Sequence, residues 1–360
     1  MKNIFQKRLD QLSLKINDLG YHGFYISNLT NIRYLTGFTG SAGLLLLVDG
    51  TGHFFTDGRY TTQSSNQVKN CKIHIIDSSY FDSINQTKLL DSDNLNIAFE
   101  STDISHSSYY GLKQNFNYIN WHPTNSIIEN IAAVKDQYEI DSLKTAIEIT
   151  DYVFQKIINE IKAGVTEKYI SAKISYLFKT NGAEGDSYES IIASGPNSAL
   201  PHARPTDRKF QKGDFIVMDF GALYNGYHAD MTRTLLIGPA TKKHQEIYDI
   251  VLESQLHGIS TAKEGVPCAS VDKACRDIIA NNGYADFFNH STGHGIGLEV
   301  HTLPRIHKSN NQLLKSNNVI TIEPGIYLPD WGGVRIEDDC LVLEDKCLPL
   351  NKSTKELIII

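Results

Sequence analysis

The sequence predicts an α/β domain followed by an α+β domain, and three observations predict it. The 360 residues fit two domains on a prior of roughly 150 residues each. Up to residue 123, short β-branched and aromatic runs alternate with helical patterns, the signature of a compact α/β unit. From Asp136 the pattern changes to long amphipathic helices, and later to strands joined by tight turns such as Asn225-Gly226. Domains at 1–123 and 124–360 are therefore expected.

In the first domain, Ile4, Phe5, Leu9, Leu12, Ile16 and Leu19 recur at helical spacing, and Gly20 follows as a stop. Strands are expected at Phe24 to Ser27, Leu44 to Val48 and His53 to Thr56, the last two joined across Asp49-Gly50-Thr51-Gly52. Lys72 to Ile76 and Leu95 to Phe99 read as further strands, and Ser105 to Asn115 as a helix. Trp121-His122-Pro123 marks the end of the domain. Gly37 to Gly43 and Thr56 to Tyr60 have loop composition, and the first lacks the Lys-Ser/Thr ending of a phosphate-binding loop.

In the second domain, Tyr138 to Ile157 form an amphipathic helix, and Thr166 caps another running to about Thr180. Ser187 to Ala193 is an expected strand, followed by a Pro-rich loop that holds His202. Helices follow at Lys242 to Lys263 and Val271 to Asn282, with strand and loop beyond.

The stretch Gly213 to Leu236 carries two apolar runs around Asn225-Gly226, the dipeptide that suits a two-residue hairpin loop with positive φ. With that loop, Asp219 faces Thr232, and Asp230 lies diagonally on the same face, with Cα atoms roughly 7–8 Å apart. Two bare carboxylates on one half-buried face repel. Either a positive group sits between them, or the face is open to solvent and both acids are hydrated.

Three further groups carry chemistry. His290, His294 and His301 lie within a glycine-rich stretch that cannot form a helix face cheaply. Glu323 ends an apolar strand at a Pro-Gly stop. Strand alternation puts Arg335 and Glu337 on one face, where the plain alternative is a surface ion pair worth about 0–1 kcal/mol. Taken together, four carboxylates and one imidazole suit two divalent cations. An oxygen-rich set with no thiolate favours Mn²⁺-like ions over structural zinc.

Composition excludes other classes. The net charge of −7 and pI near 6.0 argue against nucleic acid as a partner. No apolar run approaches the roughly 18 residues a membrane helix needs, and the N-terminus does not read as a signal peptide. Five cysteines without Cys-x-x-Cys spacing fit a reducing, cytoplasmic setting.

The order Asp219, Asp230, His294, Glu323, Glu337 stands in the contexts Met-Asp-Phe-Gly, Ala-Asp-Met-Thr-Arg-Thr, Gly-His-Gly-Ile-Gly, Glu-Pro-Gly and Val-Arg-Ile-Glu-Asp. It resembles the pita-bread metallopeptidases, a group that includes aminopeptidase P, prolidase and methionine aminopeptidase. The resemblance spans essentially the whole chain. It implies a pita-bread catalytic domain in which Asp219 and Asp230 hold one metal, His294 and Glu323 the other, and Asp230 and Glu337 bridge both. The two ions are expected to be Mn²⁺, with Co²⁺ or Zn²⁺ as alternatives.

Matches to the proline-specific branch extend to His202, His290, His301 and Arg335. They imply cleavage between an N-terminal residue and proline by a metal-bridging hydroxide. Glu323 would act as general base, His202 and His301 would stabilise the oxyanion, and His290 would position the substrate. Phe38 to Gly43 and Thr56 to Tyr60 resemble aminopeptidase P more than prolidase, which implies that they line a specificity pocket across the interface of a homodimer. Xaa-Pro aminopeptidase is thus the first expectation, with peptides carrying proline second as partners. Xaa-Pro dipeptidase is the alternative, and a non-catalytic binding protein on the same fold comes third.

Overall fold

The computed structural model describes residues 2–92 and 94–360, arranged as two compact units, Met1–Ala132 and Ala133–Ile360. The first unit is built on a six-stranded sheet in the order Cys71–Ile76, Thr51–Asp57, Leu44–Val48, Gly23–Ile26, Asn96–Glu100, Asn120–Thr124. The middle hairpin closes on two residues, because Val48 pairs with Thr51 and both Asp49 (φ 47°) and Gly50 (φ 74°) are left-handed. Helix Lys2–Asp18 lies where the apolar spacing predicts it, with Leu9, Leu12 and Ile16 buried.

The unit ends later than residue 123. Pro123 sits inside the edge strand Asn120–Thr124, paired with Phe99, where its missing N–H costs no ladder bond. Helix Ile127–Ala132 then completes the unit, so the division falls between Ala132 and Ala133. The short helices Leu29–Thr36 and Tyr80–Thr87 were not expected. Each is announced mainly by its cap, Asn28 and Ser79, whose side chains accept from Asn31 N and Asp82 N.

The second unit places helices against largely antiparallel sheets. One sheet runs Ile358–Ile359, Met231–Leu236, Phe215–Phe220, Ile191–Ser194; another runs Thr302–Ile306, Gly293–Gly295, Val319–Ile322, Asp338–Val342, Cys347–Pro349. Helices Gln137–Ile157 and Glu167–Thr180 start at the caps Asp136 and Thr166. They bury Phe154, Ile174 and Phe178 with Ile216, Met218 and Phe220 of the first sheet. Helices Lys242–Thr261 and Cys268–Asn281 contribute Val251 and Cys275 to a second core with Ile320, Ile322 and Val334. Each fully buried side chain of this size contributes about 1.5–3 kcal/mol. Two cores thus hold the strands whose polar ends converge on the site.

The hairpin register is the expected one. Asp219 pairs with Thr232, Phe220 with Met231 and Tyr224 with Tyr227, while Asn225 (φ 51°) and Gly226 (φ 75°) form the loop. The expected strand at 187–193 is shorter. Residues 187–190 lie between Gly185–Asp186 and Ile191–Ser194, and this break lets Tyr188 reach the hairpin.

Candidate metal centre and cleft

Strand ends and turns bring the expected residues into one cleft of about 380 Å³, lined by Asp219, Asp230, His294, Glu323, Glu337, Arg335, His202, His290 and His301. Asp219 sits near the end of Phe215–Phe220, and Asp230 precedes Met231–Leu236. Glu323 follows Val319–Ile322, where Pro324 breaks the strand, and Glu337 lies between Gly332–Arg335 and Asp338–Val342. His294 is held on Gly293–Gly295 because glycine flanks it. A Cβ on Gly293 would lie 1.9 Å from Thr321 O, and one on Gly295 2.0 Å from Leu303 O. Only glycines let that strand approach so closely.

The floor is tight and short of hydrogen-bond donors. One ligand atom each from Asp230, His294 and Glu337 lie within 4.8 Å of one another. His294 Nε2 is 3.4 Å from Glu323 Oε1 and 3.7 Å from Asp230 Oδ2. Its Nδ1 lies 3.1 Å from Gly295 O. A carbonyl only accepts, so Nδ1 carries the hydrogen and a neutral ring turns its Nε2 lone pair toward carboxylate oxygens. The neutral form prevails, because burial first and then His301 push this imidazole down to about 3. A lone pair facing carboxylates is repulsive unless a cation lies between them.

The carboxylates themselves repeat the deficit. Tyr188 Oη contacts both Asp219 Oδ1 and Asp230 Oδ1 with a single proton to give. Glu337 Oε2 accepts from Thr232 Oγ1 at 2.6 Å, and Glu323 Oε1 from Thr321 Oγ1 at 3.3 Å. Burial, then the charges of Asp219 and Asp339, push the Asp230 carboxyl well above its ordinary value, and burial with Asp230 does the same to Glu337. Burial pushes Glu323 up to about 7 against the opposing charge of Arg335. Oxygen-rich, donor-poor and buried, the group fits divalent cations in place of protons.

Arg335 is not the surface partner of Glu337. It is buried, with Nη2 on Asp219 Oδ2 at 2.5 Å, Nη1 on Tyr327 Oη at 2.9 Å and Nε on Thr232 Oγ1 at 3.0 Å. Both residues line the cleft, but Glu337 lies beyond the end of the strand, and the partner of Arg335 is Asp219 on Phe215–Phe220. Tyr327 Oη lies 2.8 Å from His290 Nε2, and His290 Nδ1 lies 2.8 Å from Ser291 O. Donors therefore run from Arg335 to Tyr327 to His290 to Ser291, and both nitrogens of His290 are used within the protein. His202 and His301 are exposed on the cleft wall, and their ring nitrogens hydrogen-bond to nothing among the described residues.

Sequence reasoning missed Tyr188, Tyr327 and Asp339. Asp339 accepts from Asp230 N at 2.9 Å and so fixes the backbone beneath that carboxylate. Its Oδ1 and the neighbouring Asn351 Nδ2 are buried and have no hydrogen-bond partner among the described residues.

A buried cluster of acids around one imidazole is a donor set for divalent cations. The model of metallopeptidase family M24 matches residues 141–344, and that of the creatinase/prolidase N-terminal domain matches residues 8–134. The chain belongs to this family and has its pita-bread architecture. The Xaa-Pro dipeptidase of Pyrococcus furiosus is 36% identical over 353 residues, spanning 98% of this chain and 100% of that one. Among solved structures, the Xaa-Pro dipeptidase from Bacillus anthracis superposes with a TM-score of 0.95 at 37% identity, covering 99% of this chain and 100% of that one. The X-Pro aminopeptidase from Thermotoga maritima MSB8 gives a TM-score of 0.89 at 36% identity, covering 96% and 100%.

Proposed function

We propose that this metallopeptidase hydrolyses the peptide bond before proline, with Xaa-Pro dipeptides as first substrates and longer peptides carrying proline second as the alternative. The observation that carries this is the convergence of Asp219, Asp230, His294, Glu323 and Glu337 in one cleft walled by His202, His290 and His301. The dipeptidase names of the Pyrococcus and Bacillus proteins support the first choice, and the aminopeptidase name of the Thermotoga protein supports the second.

In this reading Asp219, Asp230, His294, Glu323 and Glu337 hold two divalent cations, Mn²⁺ by the character of the donors. Bound there, the cations supply Lewis acidity toward water and toward the scissile carbonyl. Glu323 takes the proton of the attacking water and hands it to the leaving nitrogen. The amide before proline has no N–H, so the site must recognise it through its carbonyl and ring. His202 and His301, with unused ring nitrogens, donate to the oxyanion. His290, with both nitrogens occupied, acts as a wall that holds Tyr327 and Arg335 in place, and Arg335 fixes Asp219. The same proposal includes a homodimer in a reducing cytoplasm. The thiols of Cys71, Cys268, Cys275, Cys340 and Cys347 are free, and no described helix is long and apolar enough to cross a membrane.

A panel of Xaa-Pro, Xaa-Pro-Yaa and Xaa-Ala peptides with the metal-loaded protein tests the reading. Turnover confined to proline-containing substrates and fastest for the dipeptides is expected. Equal turnover of the Xaa-Ala set would remove the proline assignment.

A further inference from the structure

Asp230 and Glu337 are two of the three residues whose ligand atoms lie within 4.8 Å of one another, and each is also held through its backbone. Asp230 N donates to Asp339 Oδ2 at 2.9 Å, and Glu337 O accepts from Arg233 Nη1 at 2.5 Å. Asp339 and Arg233 are both buried, and neither is among the residues that line the cleft. They grip the two acids from behind.

One short segment, residues 351–355, holds both of these backing groups. Asp339 N donates to Asn351 Oδ1 at 2.8 Å. Arg233 Nη2 donates to Ser353 O at 2.9 Å and Nε to Thr354 O at 3.0 Å. The same guanidinium meets Asp338 Oδ1 at 2.7 Å, and Lys355 Nζ meets Asp338 Oδ2 at 2.8 Å. The segment is itself pinned on both sides. Asp151 on helix Gln137–Ile157 accepts from Lys352 N at 2.7 Å and Ser353 N at 2.9 Å, and Ile358–Ile359 pairs with Leu235 and Leu236. It therefore resists any shift of the groups it carries.

A purely structural role does not account for Asp339. Among the described residues its carboxylate accepts one hydrogen bond, the one from Asp230 N, and its Oδ1 is buried without a partner. A buried carboxylate kept for the fold gathers donors, as Glu167 does with Ser194 and Thr206. We infer that Asp339 and Arg233 are positioning residues, through which residues 351–355 hold Asp230 and Glu337 at the spacing a divalent cation requires. The inference rests on the metal reading above. Outer groups of this kind orient the ligands and so set the affinity for the ion.

The test is the dissociation constant of the full chain for Mn²⁺, read from the EPR signal of the free ion. Asn351→Ala removes the acceptor that holds Asp339 N, and Arg233→Lys removes the fork to Glu337 O, Ser353 O and Thr354 O. Both leave the net charge unchanged, so a change in affinity reports ligand placement. Each should raise the dissociation constant about tenfold. Asn351 is partly exposed, so Asn351→Ala should fold, and urea unfolding checks both variants. Glu167→Gln, which lowers stability away from the two acids, should leave the constant within twofold of the parent. Parent-like affinity in either folded variant, or an equal loss of affinity in Glu167→Gln, overturns the positioning role while the metal reading stands. A parent that binds no Mn²⁺ overturns both.

Discussion

Glu167 and the cleft floor are both buried acid sites of the second unit, yet they are built in opposite ways. Glu167 is fully buried, and its two oxygens are met by Ser194 N and Oγ, Asn197 Nδ2, and Thr206 N and Oγ1. Asp272 and Asp151 follow the same rule, the first held by Arg276 and Thr292, the second by Lys352 N, Ser353 N and Ser353 Oγ. On the floor, by contrast, Glu337 and Glu323 each have a hydroxyl on one oxygen, Asp230 shares the phenol of Tyr188 with Asp219, and Asp219 also meets the guanidinium of Arg335. Asp219, Asp230 and Glu337 are buried like Glu167, and Glu323 is half-buried; what sets the two places apart is the supply of donors. A buried carboxylate with its donors in place is part of the scaffold, and one without them is a site awaiting positive charge.

The sharpest way to break this contrast is to remove the charge in each place. Glu323→Gln, on the donor-poor side, should leave a folded chain whose Xaa-Pro turnover falls by about 10²–10⁴, measured against the parent at equal metal content. Near-normal turnover would remove Glu323 from the proton-transfer role. Glu167→Gln, on the donor-rich side, should act on stability instead. It turns an amide toward groups that donate, at a cost of about 1–3 kcal/mol in urea unfolding, with bound metal unchanged. Loss of metal from Glu167→Gln without loss of stability would erase the distinction.

A smaller effect sharpens it from the first unit. Glu100 accepts from Ser27 N, Asn28 N and Asn31 Nδ2 at 2.7–2.8 Å, yet burial still pushes its carboxyl up to about 7 from 4.5. The folded state therefore holds this proton more tightly than the unfolded chain. The contribution is fully present below about 4.5 and lost as pH rises through about 7. Between pH 5 and pH 8 the parent should lose up to about 3 kcal/mol of stability that Glu100→Gln does not lose. Urea midpoints of both at the two pH values check this, and parallel slopes would contradict it.

Much of the site could be read from the sequence because its parts carry local signals. Asn225-Gly226 sets a two-residue loop, and that loop alone puts Asp219 opposite Thr232 with Asp230 on the diagonal. Glycines around His294 and the Pro-Gly after Glu323 mark backbone that serves something other than packing. Tyr188 and Tyr327 have no such signal: a lone tyrosine among 18 is ordinary in sequence, and their roles arise from contacts 31 residues away in one case and with Arg335 and His290 in the other. Arg335 was visible as a strand residue, but its partner Asp219 is 116 positions distant. The late end of the first unit was hidden for the same reason. Pro123 reads as a strand breaker, and only the sheet order shows that it occupies an edge.

The central claim, that the donor-poor floor exists to hold divalent cations, is tested most directly by elemental analysis of the purified chain and its Asp230→Asn variant after equilibration with Mn²⁺. The parent should retain about two equivalents, on the charge balance of four carboxylates with two dications, and the variant should lose them. Two equivalents retained by Asp230→Asn, or none in the parent, would contradict the account.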